Sequence, residues 1–229
     1  ISGTASDDEG GVYKSGMLEV EVAIQENPPT GSWWDGSAWV ADKVWLTDTS
    51  HLWPDWACIS TPTWVTNTRY RVEVRAQDNA RNYSSIMTKE FVYDTQEPQL
   101  SIVEPNNNYV NNLPTISGTS EDSNTLGEID KVYVRVKHIS ANAYWSWIDK
   151  DYTIANAESA WFIAESTVSP EFSIWFTTGT PGGISFTSGF DYEINAKAED
   201  KAGNFTSVYS TITFRYDTEK PISSCTVPS

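Results

Sequence analysis

Apolar and polar residues alternate with a period of two through much of the chain. Val132, Val134 and Val136 interleave with Tyr133, Arg135 and Lys137, and Val20, Val22 and Ile24 with Glu21 and Ala23. Tyr70, Val72 and Val74 alternate with Arg71, Glu73 and Arg75, and Tyr192, Ile194 and Ala196 follow the same rule. Successive side chains of a strand point to opposite faces, so this pattern predicts half-buried strands with one solvated face. No segment carries a convincing helical period. In the more complete half, strands are expected at 99–103, 115–120, 131–138, 190–198 and 208–216, around a variable aromatic middle.

The pattern occurs twice. Ile-Ser-Gly-Thr starts at Ile1 and returns at Ile116, and the stretch from Tyr70 to Pro98 is echoed from Tyr192 to Pro221. The offsets are 115 for Ile1/Ile116, 122 for Asp78/Asp200 and 123 for Pro98/Pro221. A unit of this length buries its own core, unlike solenoid repeats of about 20–50 residues that must stack to share one. About seven short strands per copy, tight Gly/Asn/Asp turns and no crossover helix specify an all-β fold. The expectation is two tandem immunoglobulin-like antiparallel β-sandwich domains. The first occupies residues 1–95 and lacks its first strand, the second occupies 96–218, and 219–229 reads as the start of a next repeat.

The run ISGTASD, the turns DNARN and DKAGN, and the closing YDTQEP and YDTEKP resemble the bacterial Ig-like repeats of large surface and adhesin-type proteins. The resemblance covers nearly the whole chain. It implies a secreted or cell-surface setting, further Ig-like repeats of the same chain as neighbours, and a non-catalytic role as spacer, stalk or adhesive segment. The first copy departs from it at Arg81, where the second has Gly203, so Asn82 is expected to carry the positive φ there, or the turn type to differ. The intersheet cysteines of antibody domains, and their Trp partner, are missing from both copies.

Thirty-one acidic and 15 basic residues give a net charge of −16. That charge repels phosphate backbones and anionic lipid, so nucleic acid is excluded as a partner. No run approaches the roughly 18 apolar residues of a spanning helix, so this segment does not insert into a membrane. Cys58 and Cys225 occupy non-equivalent places, which excludes a disulfide repeated in each domain. His51 and His138 have no metal-ligand spacing, the His51/Cys58 pair has no nucleophile signature, and enzyme is the least favoured class. The sequons at Asn82 and Asn204 fall on the repeated turn and are read as structural.

Two candidate sites remain. The loop after the second strand (Glu121, Asp122), the last hairpin turn (Asp200, Asn204) and the connector (Asp94, Glu97) collect oxygen ligands suited to calcium, with Asp7, Asp8, Asp78 and Asn82 as the first-copy set. Against this stands a plain turn role for the same Asp and Asn residues. The second candidate is aromatic. Of 11 tryptophans, Trp34, Trp45 and Trp56 find partners in Trp145, Trp161 and Trp175 and are expected as core anchors with satisfied indole N–H groups. Trp39, Trp53 and Trp64 have none, and the competing reading is that they form an exposed platform for a glycan or a protein surface, with Asp35, Asp42, Asp48 and Asp55 nearby to bind hydroxyls.

Overall fold

The computed structural model describes residues 1–7, 14–47, 50–123, 125–166, 172–178 and 183–226. Two compact units divide the chain, Ile1–Thr95 and Gln96–Ser229. Among the described residues, no helix is long and apolar enough to cross a membrane.

In the first unit the strands are β1 (Ser2–Thr4), β2 (Met17–Glu26), β3 (Trp33–Trp34), β4 (Trp39–Val40), β5 (Leu46–Thr47), β6 (Ser50–Leu52), β7 (Asp55–Ala57), β8 (Thr68–Asp78) and β9 (Met87–Tyr93). One sheet runs β1-β7-β6 and the other β4-β3-β2-β8-β9, with β5 also on β2. The second unit contains β10 (Gln99–Glu104), β11 (Tyr109–Val110), β12 (Thr115–Glu121), β13 (Ile129–His138), β14 (Ala143–Ser146), β15 (Asp151–Ile154), β16 (Phe162–Ile163), β17 (Glu165–Ser166), β18 (Ile174–Thr178), β19 (Phe190–Asp200) and β20 (Ser210–Tyr216). Its sheets run β10-β12-β18-β17 and β11-β20-β19-β13-β14-β15, with β16 on β13. Each unit is an immunoglobulin-like sandwich, as the alternation and turn signals require. One pairing departs from the antiparallel expectation, because β11 runs parallel to β20.

The alternating residues supply the cores. Val20, Val22 and Ile24 face Val72 in the first unit, and Val132, Val134 and Val136 face Ile194 and Ala196 in the second, all buried. Trp56 and Trp175 lie across Gly3 and Gly118, to which they are paired in register. The repeated Ile-Ser-Gly-Thr motif thus has a packing reason: a Cβ at Gly118 would stand 2.2 Å from the Trp175 ring and 2.1 Å from the Ser101 carbonyl oxygen. At the start of β8 and β19, the Tyr70 hydroxyl accepts from Val65 N at 3.0 Å and the Tyr192 hydroxyl from Thr187 N at 2.8 Å. This tyrosine corner pins the crossing between sheets of a Greek-key sandwich.

The opposite, polar face of the central strands is not solvated as expected. Glu73 is buried and paired with Lys43 at 2.5 Å, while Arg75 pairs with Glu21 and lies over the rings of Trp45 and Tyr83. In the second unit Arg135 is 9% exposed, bonded to Asn195 at 2.9 Å and Glu158 at 3.1 Å, with Trp161 4.3 Å above its guanidinium. The aromatic middle folds back over this face. Its charges survive burial because each meets a counter-ion, an amide or a ring quadrupole.

Candidate functional site

The Asp–Asn turns between the last two strands have the same geometry in both units. Asp200 Oδ1 accepts from Asn204 N and Oδ2 from Asn204 Nδ2, both at 2.8 Å, and Asp78 holds Asn82 through the same two bonds at the same distances. The Asn82 side chain, then its backbone N–H, keeps the Asp78 carboxyl below its ordinary range. Arg81 itself takes the positive φ, at 71°, where Gly203 has 89°. This corrects the expectation that Asn82 would: the bonds Asn82 donates to Asp78 fix it and leave the strained conformation to its neighbour. Turn chemistry accounts for the geometry of these four residues.

In the second unit Asp122, on the loop after β12, is brought to Asp200, with carboxylate oxygens within 4.8 Å of each other. Gly127 makes this possible. A side chain there would run into the Asp122 carboxyl, at 2.2 Å from its Cγ. Nothing in the sequence reading singled out Gly127, although a glycine five residues from a site aspartate is the signal that was present. Glu97 is used to accept from Ser207 N at 2.9 Å, and Glu121 is exposed on β12 opposite Gln99. In the first unit Asp7 Oδ2 accepts from Gly16 N at 2.8 Å and Ser15 Oγ at 3.2 Å. Asp94 accepts from Thr66 Oγ1 at 3.3 Å. Asp8 and Asp48 lie outside the described residues.

The aromatic expectations need more revision. Trp64 packs on Tyr70, Phe91 and Tyr93 with centroids 4.7, 5.3 and 6.5 Å away. Phe186 packs on the matching Tyr192, Phe214 and Tyr216 at 5.0, 5.4 and 5.6 Å. Trp39 meets Trp34 at 5.4 Å and Tyr70 at 6.1 Å, while Tyr152 meets Trp145 at 5.2 Å and Tyr192 at 5.6 Å. Trp64 and Trp39 therefore do have counterparts, namely Phe186 and Tyr152. The residue type changed and the loop lengths differ, so sequence comparison missed both. Both side chains are half-buried against the core.

Trp53 has no such counterpart. It is half-buried and stacks on His51 at 4.5 Å, while Cys58 of the same region is buried in the core. Asp35 accepts from the backbone N–H of Ala38 and Ser37, which lowers its carboxyl below the ordinary range, and Asp42 and Asp55 are exposed. The three matched tryptophan pairs also divide in role. Trp34/Trp145 and Trp56/Trp175 belong to the cores, whereas Trp45 and Trp161 cover the cations of the polar face. Trp34 donates its indole N–H to Ser60 O at 2.8 Å, but Trp145 and Trp175 have no acceptor among the described residues. That corrects the expectation of satisfied indoles, and ring burial offsets the lost bond.

No protein family and no curated protein matches the chain. Among solved structures it is similar to the fibronectin(III)-like modules of Clostridium thermocellum CbhA, with 17% identity over 93% of this chain and 88% of that one and a TM-score of 0.40.

Proposed function

We propose that the chain is a non-catalytic pair of Ig-like repeats from a secreted or cell-surface bacterial protein, serving as a spacer or stalk beside further repeats of the same kind, or in adhesion. The use of its tryptophans carries this reading. All eleven are buried or half-buried, none is exposed, and most are engaged with core aromatics or strand cations. A binding head presents an exposed aromatic patch, whereas a spacer spends aromatics on rigidity. Screening the intact chain on a glycan array tests this. The expected result is no signal; a signal lost on Trp53→Ala replaces the spacer with a carbohydrate-binding module, of which Trp53 is the residue best placed.

The same proposal gives the second unit a calcium ion at Asp122 and Asp200. Carboxylates this close repel one another, and a cation that takes six to eight oxygens relieves the repulsion with help from carbonyls and water. Glu97, Glu121 and Asn204 are the other oxygen bearers proposed for it, and Asp7, Asp78 and Asn82 their first-unit parallels. Calorimetry with calcium and then with chelator decides. The second unit is expected to melt higher with the ion, and an unchanged midpoint removes calcium from the account.

A further inference from the structure

One sheet edge of the first unit is bare where the matching edge of the second unit is covered. In the second unit β10 pairs with β12, setting Leu100 opposite Ser120, Ser101 opposite Thr119 and Ile102 opposite Gly118, and it also lies against β20. Leu100 and Ile102 pack on the core. β1 and β9 are the counterparts of β12 and β20, since Gly3 pairs with Trp56 as Gly118 does with Trp175, and Phe91 with Tyr70 as Phe214 does with Tyr192. Among the described residues, however, β1 has a neighbour only on its β7 side.

Exposure follows from that difference. Ile1 is 36% exposed against 2% for Ile116, and Phe91 37% against 1% for Phe214. The three nearest atoms to a Cβ at Gly3 all belong to the Trp56 ring, whereas Gly118 also meets the Ser101 carbonyl oxygen of β10. The outer backbone groups of β1 form an open ladder.

A segment of matching sequence follows β20. By the offset of Pro98 and Pro221, Ile222, Ser223, Ser224 and Cys225 correspond to Gln99, Leu100, Ser101 and Ile102 of β10. Residues 217–226 are exposed and belong to no strand. From Pro221 to Thr226 the tail is uncharged, so it enters a sheet without adding to the repulsion between chains of net charge −16. Lys220 stands in the place of Glu97, which is bonded to Ser207 just past the repeated turn; in the first unit that turn holds Asp78, so the tail brings a cation toward a carboxylate.

We infer that a second copy of the chain fills the bare edge with residues 221–226 of its tail, setting Ser224 opposite Thr4 and Cys225 opposite Gly3 of the acceptor. An added strand gains its main-chain bonds whatever its side chains are, and parity sends Ser223 and Cys225 inward, where β10 has Leu100 and Ile102. Donor tail and acceptor edge are different surfaces, so the contact is heterologous and runs on from copy to copy. The exchange needs only the pairing seen in the second unit, and neither the spacer role nor the calcium site.

Sedimentation of the intact chain from micromolar to millimolar concentration, under reducing conditions that exclude Cys225 disulfides, tests it. The average mass is expected to climb from that of one chain toward multiples of it. Alkylation of Cys225, read by mass spectrometry in the same samples, reports the site: a free tail exposes the thiol and a docked one buries it, so the rate should fall about ten-fold where roughly nine tails in ten are docked. Cys58 is buried and does not confuse the reading. Ser224→Pro removes a tail N–H that faces β1, because in β10 it is the next residue, Ile102, whose N–H turns away to Ser210 Oγ at 3.0 Å. Lying in the exposed tail, it leaves both cores intact, and it should restore the monomer and the full Cys225 rate at every concentration. Cys225→Ile, which supplies the residue that β10 has at this place, should move association to lower concentration. A mass that stays that of one chain, association that leaves Cys225 as reactive as before, or association that survives Ser224→Pro overturns the exchange. Protection of Cys225 that is equal at all concentrations also overturns it, by placing the tail on its own chain.

Discussion

Gly118→Ala isolates the contact that explains the repeated Ile-Ser-Gly-Thr motif. Its Cβ would lie 2.1 Å from the Ser101 carbonyl oxygen and 2.2 and 2.5 Å from two Trp175 ring atoms, where ordinary contact begins near 3.4 Å. Neither neighbour can give way cheaply: Ser101 is in register with Thr119 in the β10–β12 ladder, and Trp175 is 0% exposed. Overpacking costs about 1–3 kcal/mol. Displacing the strand loses one or two ladder bonds of about 1 kcal/mol each. The lower unfolded-state entropy of alanine returns about 0.4–1 kcal/mol. The sum is a destabilisation of about 3 kcal/mol, or a fall of about 10 °C in the melting of the second unit. Gly3→Ala is the internal control. There only the Trp56 ring is close, at 2.8 Å and beyond, so the cost should be about 1 kcal/mol or less, confined to the first unit. Calorimetry of the two variants reads both effects. A Gly118→Ala midpoint within about 0.5 kcal/mol of the parent, or a larger loss for Gly3→Ala, refutes the reasoning.

Four further outcomes are expected. Arg81→Gly should stabilise the first unit by about 0.5 kcal/mol in denaturant titration, strain relief of about 1–2 kcal/mol being offset by glycine's entropy, whereas Gly203→Ala should cost the second unit about 1 kcal/mol. Tyr192→Phe should cost about 1 kcal/mol through loss of the acceptor for Thr187 N, and Tyr70→Phe the same in the first unit through Val65 N. On acidification, the carboxyls concerned are Asp35, held low first by the Ala38 N–H, Asp78 and Asp149, held low first by Asn82 and Thr153 respectively, and Glu158, held low first by the Trp161 indole and then by Arg135. Carboxyls with folded pKa values below the unfolded ones contribute stability that is complete above the unfolded values and lost as pH falls through the folded ones. Melting midpoints should therefore decline below about pH 4, and Asp78→Asn should flatten that decline. At the alkaline end, burial, then Tyr192 and Asp151, push the Tyr152 phenol far above its ordinary 10.0. Stability should fall above pH 10 as the unfolded chain ionises, and Tyr152→Phe should weaken that dependence in a pH series of unfolding curves.

Much of this protein is written locally. Strict alternation at Val132–Val136 and Tyr70–Val74 specifies strands and the face that becomes core, because side-chain direction in a strand depends only on residue parity. The offsets of the Ile-Ser-Gly-Thr and Asp-Thr-x-x-Pro motifs reveal the repeat, and Asp-x-x-x-Asn turns declare themselves through the short-range bonds that their side chains make. The tertiary structure decided what depends on where distant segments return. Trp64 and Phe186, or Trp39 and Tyr152, share a place in space but neither residue type nor loop length, so only the assembled core equates them. The polar strand faces that parity marks as outward are covered by the aromatic middle, and the two-residue β11 is too short to leave a pattern of its own. The approach of Asp122 to Asp200 likewise needed Gly127 to vacate the room. Packing is a property of the folded surface against which a loop closes, and no periodicity along the chain records it.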